Sequence, residues 1–285
     1  MNKKKPLLLL VAIPIFLVAI SPYFEEIDAI QSAGNPLTET GSDKVCGDRL
    51  CSELVITNEE NDSMTSGYTY TQEFIPKQTL ELDLSRTAVF ITDPQNDFIS
   101  EGGAAWGLVG EQVVADKVVE HQVQLREAAK KVGIPVFYSP HMYTEMDYAN
   151  WTSLNGIDTM MFAIDMFHEG TWGHEFHPDM MPDENTIVMN PHKGLSNFWT
   201  GDAALQLRQY DIQTIIMAGM SANLCVESHT RDAIENGFDV IIIADATAGA
   251  GPYSKDAALT NFEFIANEIT TTDDIINRLK QAAQN

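Results

Sequence analysis

From residue 87 to residue 283, short β-branched runs alternate with helically spaced segments, and this rhythm constrains the fold more than any other feature of the chain. Residues 87–93 (Thr-Ala-Val-Phe-Ile-Thr-Asp), 134–138, 186–189, 214–219 and 240–245 are mostly apolar runs. Runs of this length without polar alternation form strands buried on both faces. Between them, 111–132, 200–210 and 223–236 carry helical spacing, and Gly133 and Gly237 stop the first and last. Two closing helices are expected over 255–267 and 273–283. Such alternation folds as a mainly parallel sheet with helices on both faces, a three-layer α/β/α sandwich. The connection at 141–183 is rich in Met and aromatic residues and reads as cover over one edge of the sheet.

The N-terminal segment has a different texture. Lys3, Lys4 and Lys5 precede an uncharged, largely apolar stretch over 6–24. That is the pattern of a signal peptide, and the stretch is also long enough to serve as an uncleaved membrane tether. Ala19-Ile20-Ser21 is the best cleavage site, although Pro22 follows it. Residues 1–24 are therefore expected to direct export, to a secreted or periplasmic location or to an N-terminal anchor. Residues 25–84 are a polar, weakly ordered lead-in, in which Cys46 and Cys51 are expected to close a small disulfide loop in an oxidising compartment. The folded domain is expected over 85–285. A net charge of −24 excludes nucleic acid as a partner, because a phosphate backbone needs a basic face.

Pairing the first two cysteines leaves Cys225 as a single thiol. Parallel sheets bind ligands beyond the carboxyl ends of their strands. Asp93 lies at the end of the first run, Lys193 beyond the third and Cys225 beyond the fourth, so the three are able to converge on one sheet edge. A lysine and a helix N-terminus would favour the thiolate. The aspartate would accept the thiol proton and return it to a leaving nitrogen. The turn Gly219-Met220-Ser221-Ala222-Asn223-Leu224 would supply backbone N–H groups to an oxyanion. The competing readings are plain: a packed thiol, a turn aspartate and a solvated lysine.

Three motifs decide between them. Phe90-Ile91-Thr92-Asp93-Pro94-Gln95-Asn96-Asp97-Phe98, His192-Lys193-Gly194-Leu195-Ser196-Asn197-Phe198 and Gly219-Met220-Ser221-Ala222-Asn223-Leu224-Cys225-Val226-Glu227 resemble, in order, the motifs of the isochorismatase-like cysteine hydrolase superfamily. The resemblance covers roughly residues 86–266. It implies a catalytic triad of Asp93, Lys193 and Cys225, a cis peptide between Met220 and Ser221, and an oxyanion hole from the amides of Ser221 and Cys225. It also implies an aromatic substrate contact at Phe98 and self-association into a homo-oligomer. Nicotinamidases of this superfamily carry an Asp-x-His metal motif after the second strand. Here that place reads Ser139-Pro140-His141-Met142-Tyr143, so no metal and no other cofactor is expected. Isochorismatases proper lack the nucleophilic cysteine.

The expected activity is thus hydrolysis of a small amide, ureido or carbamoyl compound through a thioester. The alternatives are isochorismatase-type hydrolysis, an exported binding protein without turnover, and a redox module of Cys46, Cys51 and Cys225. The last is disfavoured because the first two cysteines are not spaced Cys-x-x-Cys. His168, His174 and His177 are three of the seven histidines. Gly170 and Gly173 argue that they lie on a loop, where Trp172 would cover the substrate.

Overall fold

The computed structural model describes residues 78–284. The targeting segment and the Cys46–Cys51 pair lie outside the described residues. Among the described residues, no helix is long and apolar enough to cross a membrane.

Six strands form one sheet: β1 (Thr87–Thr92), β2 (Val136–Ser139), β3 (Thr186–Val188), β4 (Thr214–Met220), β5 (Asp239–Ala248) and β6 (Glu268–Thr270). Their order is β3-β2-β1-β4-β5-β6, and every pairing is parallel. The chain builds outward from β1 to β3, then returns to the other side of β1 and builds outward again. Between β1 and β4 the direction of winding reverses, and sheets of this kind bind ligands beyond the strand ends at such a point.

The two faces of β1 follow from the period of a strand. Val89 and Ile91 face one apolar cluster, and Ala88 and Phe90 face the other. The first cluster includes residues of α1 (Asn96–Ile99), α2 (Trp106–Ala115) and α3 (Val118–Val132). The second takes in Ala203 and Leu207, Ala233, and Ala258 and Phe262. These belong to helices Ala203–Gln209, Glu227–Glu235 and Pro252–Ile265. Ile275 and Leu279 of the last helix, Thr272–Ala282, return to the first cluster. The result is the expected three-layer sandwich.

Several boundaries differ from the sequence reading. The segment 111–132 is two helices, α2 and α3, because Lys117 takes a left-handed conformation (φ 50°) between them. The segment 200–210 is also divided, into α6 (Asn197–Thr200) and α7 (Ala203–Gln209), after α4 (Glu145–Asn150) and α5 (Gly156–Ala163) of the long connection. The helix expected over 223–236 opens with a wide π turn, Ala222–Val226, before α8 (Glu227–Glu235). Strand β6 was not anticipated, since Glu268-Ile269-Thr270 carries one apolar residue and lies at the sheet edge. The packed body also begins earlier than residue 85, for Leu80, Leu82 and Leu84 lie against the first cluster.

Gly219 is where β4 passes closest to β1. Its φ of +118° suits glycine, and a β-carbon there would collide with the Thr92 backbone. Gly219→Ala is expected to lower unfolding free energy by about 3 kcal/mol. Urea denaturation measures this, and an unchanged midpoint would show that the strands can move apart.

Candidate active site

The loop after β1 does two jobs. Asp93, at its start, has a left-handed backbone (φ 50°), is fully buried, and brings a carboxylate oxygen close to His141 and Cys225. The residues behind it hold the long connection by backbone hydrogen bonds. Gln95 Nε2 donates to the carbonyls of His141 (2.9 Å) and His174 (2.7 Å), and Gln95 Oε1 accepts from the His141 N–H (2.7 Å). The Asn96 and Asp97 amides donate to the carbonyls of Glu175 and Gly173 (both 2.9 Å). Asp97 Oδ2 accepts from the Phe167 amide at 2.7 Å and Oδ1 from the Ala104 amide at 2.9 Å. The polar motif after β1 is therefore largely a clamp for the covering segment.

Cys225 sits in the π turn after β4 and is 2 % exposed. Its sulfur, a carboxylate oxygen of Asp93 and a ring nitrogen of His141 all lie within 4.8 Å of one another. The peptide between Met220 and Ser221 is cis, as the resemblance implied. Burial pushes the thiol well above its usual range, and the nearby Asp93 carboxylate pushes it further. The backbone amides of Ser221 and Cys225 act against that shift. The expectation of a pre-formed thiolate is thus corrected: enclosure and a facing carboxylate keep the proton on sulfur. Burial likewise raises Asp93, against the lowering influences of His192 and Cys225. A neutral thiol faces a carboxylate that has been made more basic.

Lys193 makes its contacts with the covering segment. Its ammonium bonds Asp147 Oδ2 on α4 and lies 5.8 Å from the Trp151 ring. The preceding residue reaches Asp93 instead: His192 Nε2 is 2.9 Å from Asp93 Oδ1, and both side chains are fully buried. The reason is the alternation of side chains along extended chain. His192 continues the sheet through a parallel bridge to His141, so its side chain faces in and its neighbour's faces out.

Two further histidines of the site went unnoticed in the sequence. His229 lies one turn after Cys225, so their i, i+4 spacing was a readable signal. Its Nδ1 is 2.6 Å from the Cys225 carbonyl, which can only accept, so Nδ1 carries the hydrogen. Nε2 then accepts from the Asn197 amide (3.1 Å) and the Ser139 hydroxyl (3.0 Å). Burial holds this ring neutral, well below its usual pKa. His229→Ala should cost about 2–4 kcal/mol, because three core hydrogen bonds vanish together. Denaturation curves check this; a loss under ~0.5 kcal/mol would mean that the π turn holds its own shape. His141 stacks on Phe167 with ring centroids 4.6 Å apart, and neither of its buried ring nitrogens has a protein partner.

The remaining expected site residues are dispersed. Phe98 is buried edge-on against Phe167 at 5.2 Å and forms part of the core. Trp172 is 50 % exposed, while its carbonyl accepts from Asn96 Nδ2 at 2.9 Å. His168 bonds Asp165 (2.8 Å) and Glu145 (3.2 Å), whereas the His177 ring accepts from the Asp179 amide (3.1 Å). His174 is engaged through its carbonyl. The donors that do converge are Asp93, His141 and Cys225. Their carboxylate, imidazole and thiol are of the kinds that hold zinc, and a metal held there would take up the Cys225 sulfur.

A buried cysteine beside an aspartate and an imidazole, at the switch point of a parallel sheet, defines the candidate site of an α/β protein. The Isochorismatase domain model matches residues 87–274, more than half the chain, and the chain belongs to that family. It is 29 % identical over 206 residues to ureidoacrylate amidohydrolase RutB of Serratia proteamaculans, covering 68 % of this chain and 82 % of that protein. It is 30 % identical over 200 residues to the RutB of Methylorubrum extorquens, covering 65 % and 79 %. A cysteine hydrolase from Pseudomonas syringae pv. phaseolicola shares the fold, with a TM-score of 0.63 at 24 % identity over 73 % of this chain and 98 % of that one.

Proposed function

We propose that this chain hydrolyses a small ureido or amide compound through a thioester on Cys225. The broader activity, hydrolysis of non-peptide C–N bonds, accords with the family and with relatives named amidohydrolases. One observation carries the finer reading: the Cys225 sulfur lies within 4.8 Å of an Asp93 carboxylate oxygen, buried at the strand ends.

In the first half-reaction the thiol proton passes to Asp93 as sulfur adds to the carbonyl carbon. The carbonyl oxygen gains the negative charge and takes over the N–H groups of Ser221 and Cys225. The intermediate then expels the nitrogen, which takes the proton from Asp93, and a thioester remains. Water next gives a proton to Asp93 while its oxygen adds to the thioester. Collapse expels the sulfur, which recovers that proton. An amide would release ammonia first and an acid second. A ureido compound would release its amine first and carbamate second, and the carbamate would decompose to ammonia and carbon dioxide.

Intact-mass analysis of the protein mixed with a panel of ureido acids, carbamoyl amino acids and simple amides tests this reading. An acyl or carbamoyl adduct localised to Cys225, with ammonia release, is expected for at least one compound. Turnover that proceeds after Cys225 has been blocked would sink the thioester route. The pattern of residues 1–24 supports an exported enzyme. Fractionation of cells producing the full chain tests that, and wholly cytosolic, full-length protein would refute it.

A further inference from the structure

We propose that Asp93, His141 and Cys225 form a binding site for one zinc ion, which reversibly switches the thiol off by coordinating its sulfur. The site itself stands on geometry; only its effect on turnover rests on the thioester reading above. A carboxylate oxygen of Asp93, a ring nitrogen of His141 and the Cys225 sulfur all lie within 4.8 Å of one another. Zinc holds such atoms at about 2.0–2.3 Å, so those sharing one tetrahedral ion stand roughly 3.3–3.8 Å apart. Asp93 Oδ2 and His141 Nδ1, at 3.9 Å, are already near that spacing. A contraction of at most ~1 Å brings in the sulfur.

The donors are buried and unspent. Asp93 Oδ2 and both ring nitrogens of His141 have no hydrogen-bond partner in the protein, and both side chains are fully buried. Buried polar atoms are ordinarily paired. Here a carboxylate oxygen and an imidazole are left over beside the same thiol, which is the arrangement that a shared ligand satisfies. Their supports are in place. Asp93 Oδ1 is hydrogen-bonded to His192 Nε2 at 2.9 Å, the kind of outer partner that orients a ligating carboxylate. The His141 ring packs on Phe167 (centroids 4.6 Å) and His192 (4.4 Å), while Gln95 binds both its backbone N–H and its carbonyl.

Charge and donor type select the ion. A thiolate and a carboxylate together balance the two positive charges of zinc, so the enclosed cluster is neutral. Each donor forms one bond to the metal, the thiol proton leaves to the buffer, and no electron is transferred. Magnesium and calcium take oxygen donors and would find one here, so neither should bind. The site is distinct from the Asp-x-His motif, because the aspartate position of that motif is Ser139, whose hydroxyl is engaged by His229 at 3.0 Å.

Titration of the chelator-treated full chain with cobalt(II) chloride tests the proposal without a substrate. One cobalt per chain should give a sulfur-to-metal charge-transfer band, and zinc chloride should abolish it while magnesium chloride leaves it. Cys225→Ser should lose the band. His141→Phe keeps a ring to stack on Phe167, yet should weaken binding by about 100-fold or more, beyond the loss of an outer partner. A band that persists in Cys225→Ser would belong to the other cysteines and overturn the site. So would wild-type protein without a sulfur band, or a folded His141→Phe that binds as tightly as wild type. For any compound turned over, one equivalent of zinc should cut the rate more than tenfold, and a chelator should restore it. Zinc that binds at Cys225 but leaves turnover unchanged or raised would overturn the switch. Metal binding as described with no compound hydrolysed would leave the site standing and sink the hydrolase reading; hydrolysis without metal binding would do the reverse.

Discussion

Cys225→Ser is expected to lower kcat/KM by on the order of 10³-fold or more, with the fold intact. Cys225 is 2 % exposed, and an Asp93 carboxylate oxygen lies within 4.8 Å of its sulfur. A hydroxyl fits the same space but gives up its proton far less readily, so the enclosure that already raises the thiol would cost an alkoxide more. Circular dichroism and thermal melting would establish that the variant is folded, and ammonia release would give the rate. Activity within tenfold of wild type would show that the sulfur forms no covalent intermediate.

Asp93→Asn has two consequences of opposite sign. Turnover should fall by about 10²–10⁴-fold, because the amide oxygen cannot carry the thiol proton. Stability near neutral pH should hold or rise, by ~1 kcal/mol or a few degrees in Tm. The reasoning is linkage. Burial raises the native Asp93 pKa above its unfolded value, so the native state binds that proton more tightly. Native stability therefore falls as pH climbs from the ordinary carboxylate range through the raised native value, and the penalty stays in place above it. An asparagine never ionises and removes this loss. The same shift places the acid limb of kcat/KM above the usual carboxylate range. Melting curves of both proteins across that acidic interval decide the matter. An Asn variant markedly less stable than wild type at neutral pH would mean that the charge on Asp93 is well compensated after all.

The two variants also separate chemistry from architecture. The first alters a thiol that is nearly inaccessible, and the second a buried carboxyl group hydrogen-bonded to an imidazole. Both sites lie on the switch between β1 and β4, the place where a carboxyl group and a thiol from distant parts of the chain meet. The stability held in reserve at Gly219 and His229 keeps those strand ends in register.

The layer architecture was legible in the amino-acid order, because continuous β-branched runs have few ways to hide both faces except in a parallel sheet. Asp93 and Cys225 were legible for the same reason: each follows such a run, and strand ends on one edge must converge. The edge strand β6 was not, since three residues with one apolar side chain leave no period to read. The break at Lys117 was equally hidden, because the apolar spacing continues across it while the backbone turns left-handed.

The residue that contacts Asp93 shows where linear reading stops. His192 and Lys193 are adjacent, and either could have been drawn toward Asp93. A lysine promises charge, so sequence alone pointed to it. Which of two neighbours faces inward depends on the register between the chain after β2 and the chain after β3, and that register is a long-range pairing. The bridge from His141 to His192 set it, turning the imidazole in and the ammonium out to Asp147. The thiol's protonation state followed the same rule. A helix start and a nearby lysine suggested a thiolate, but the packing around Cys225 excludes water from the charge, and burial outweighs two N–H groups. The order of residues pointed to Asp93 and Cys225; only the folded packing set the side chains that surround them.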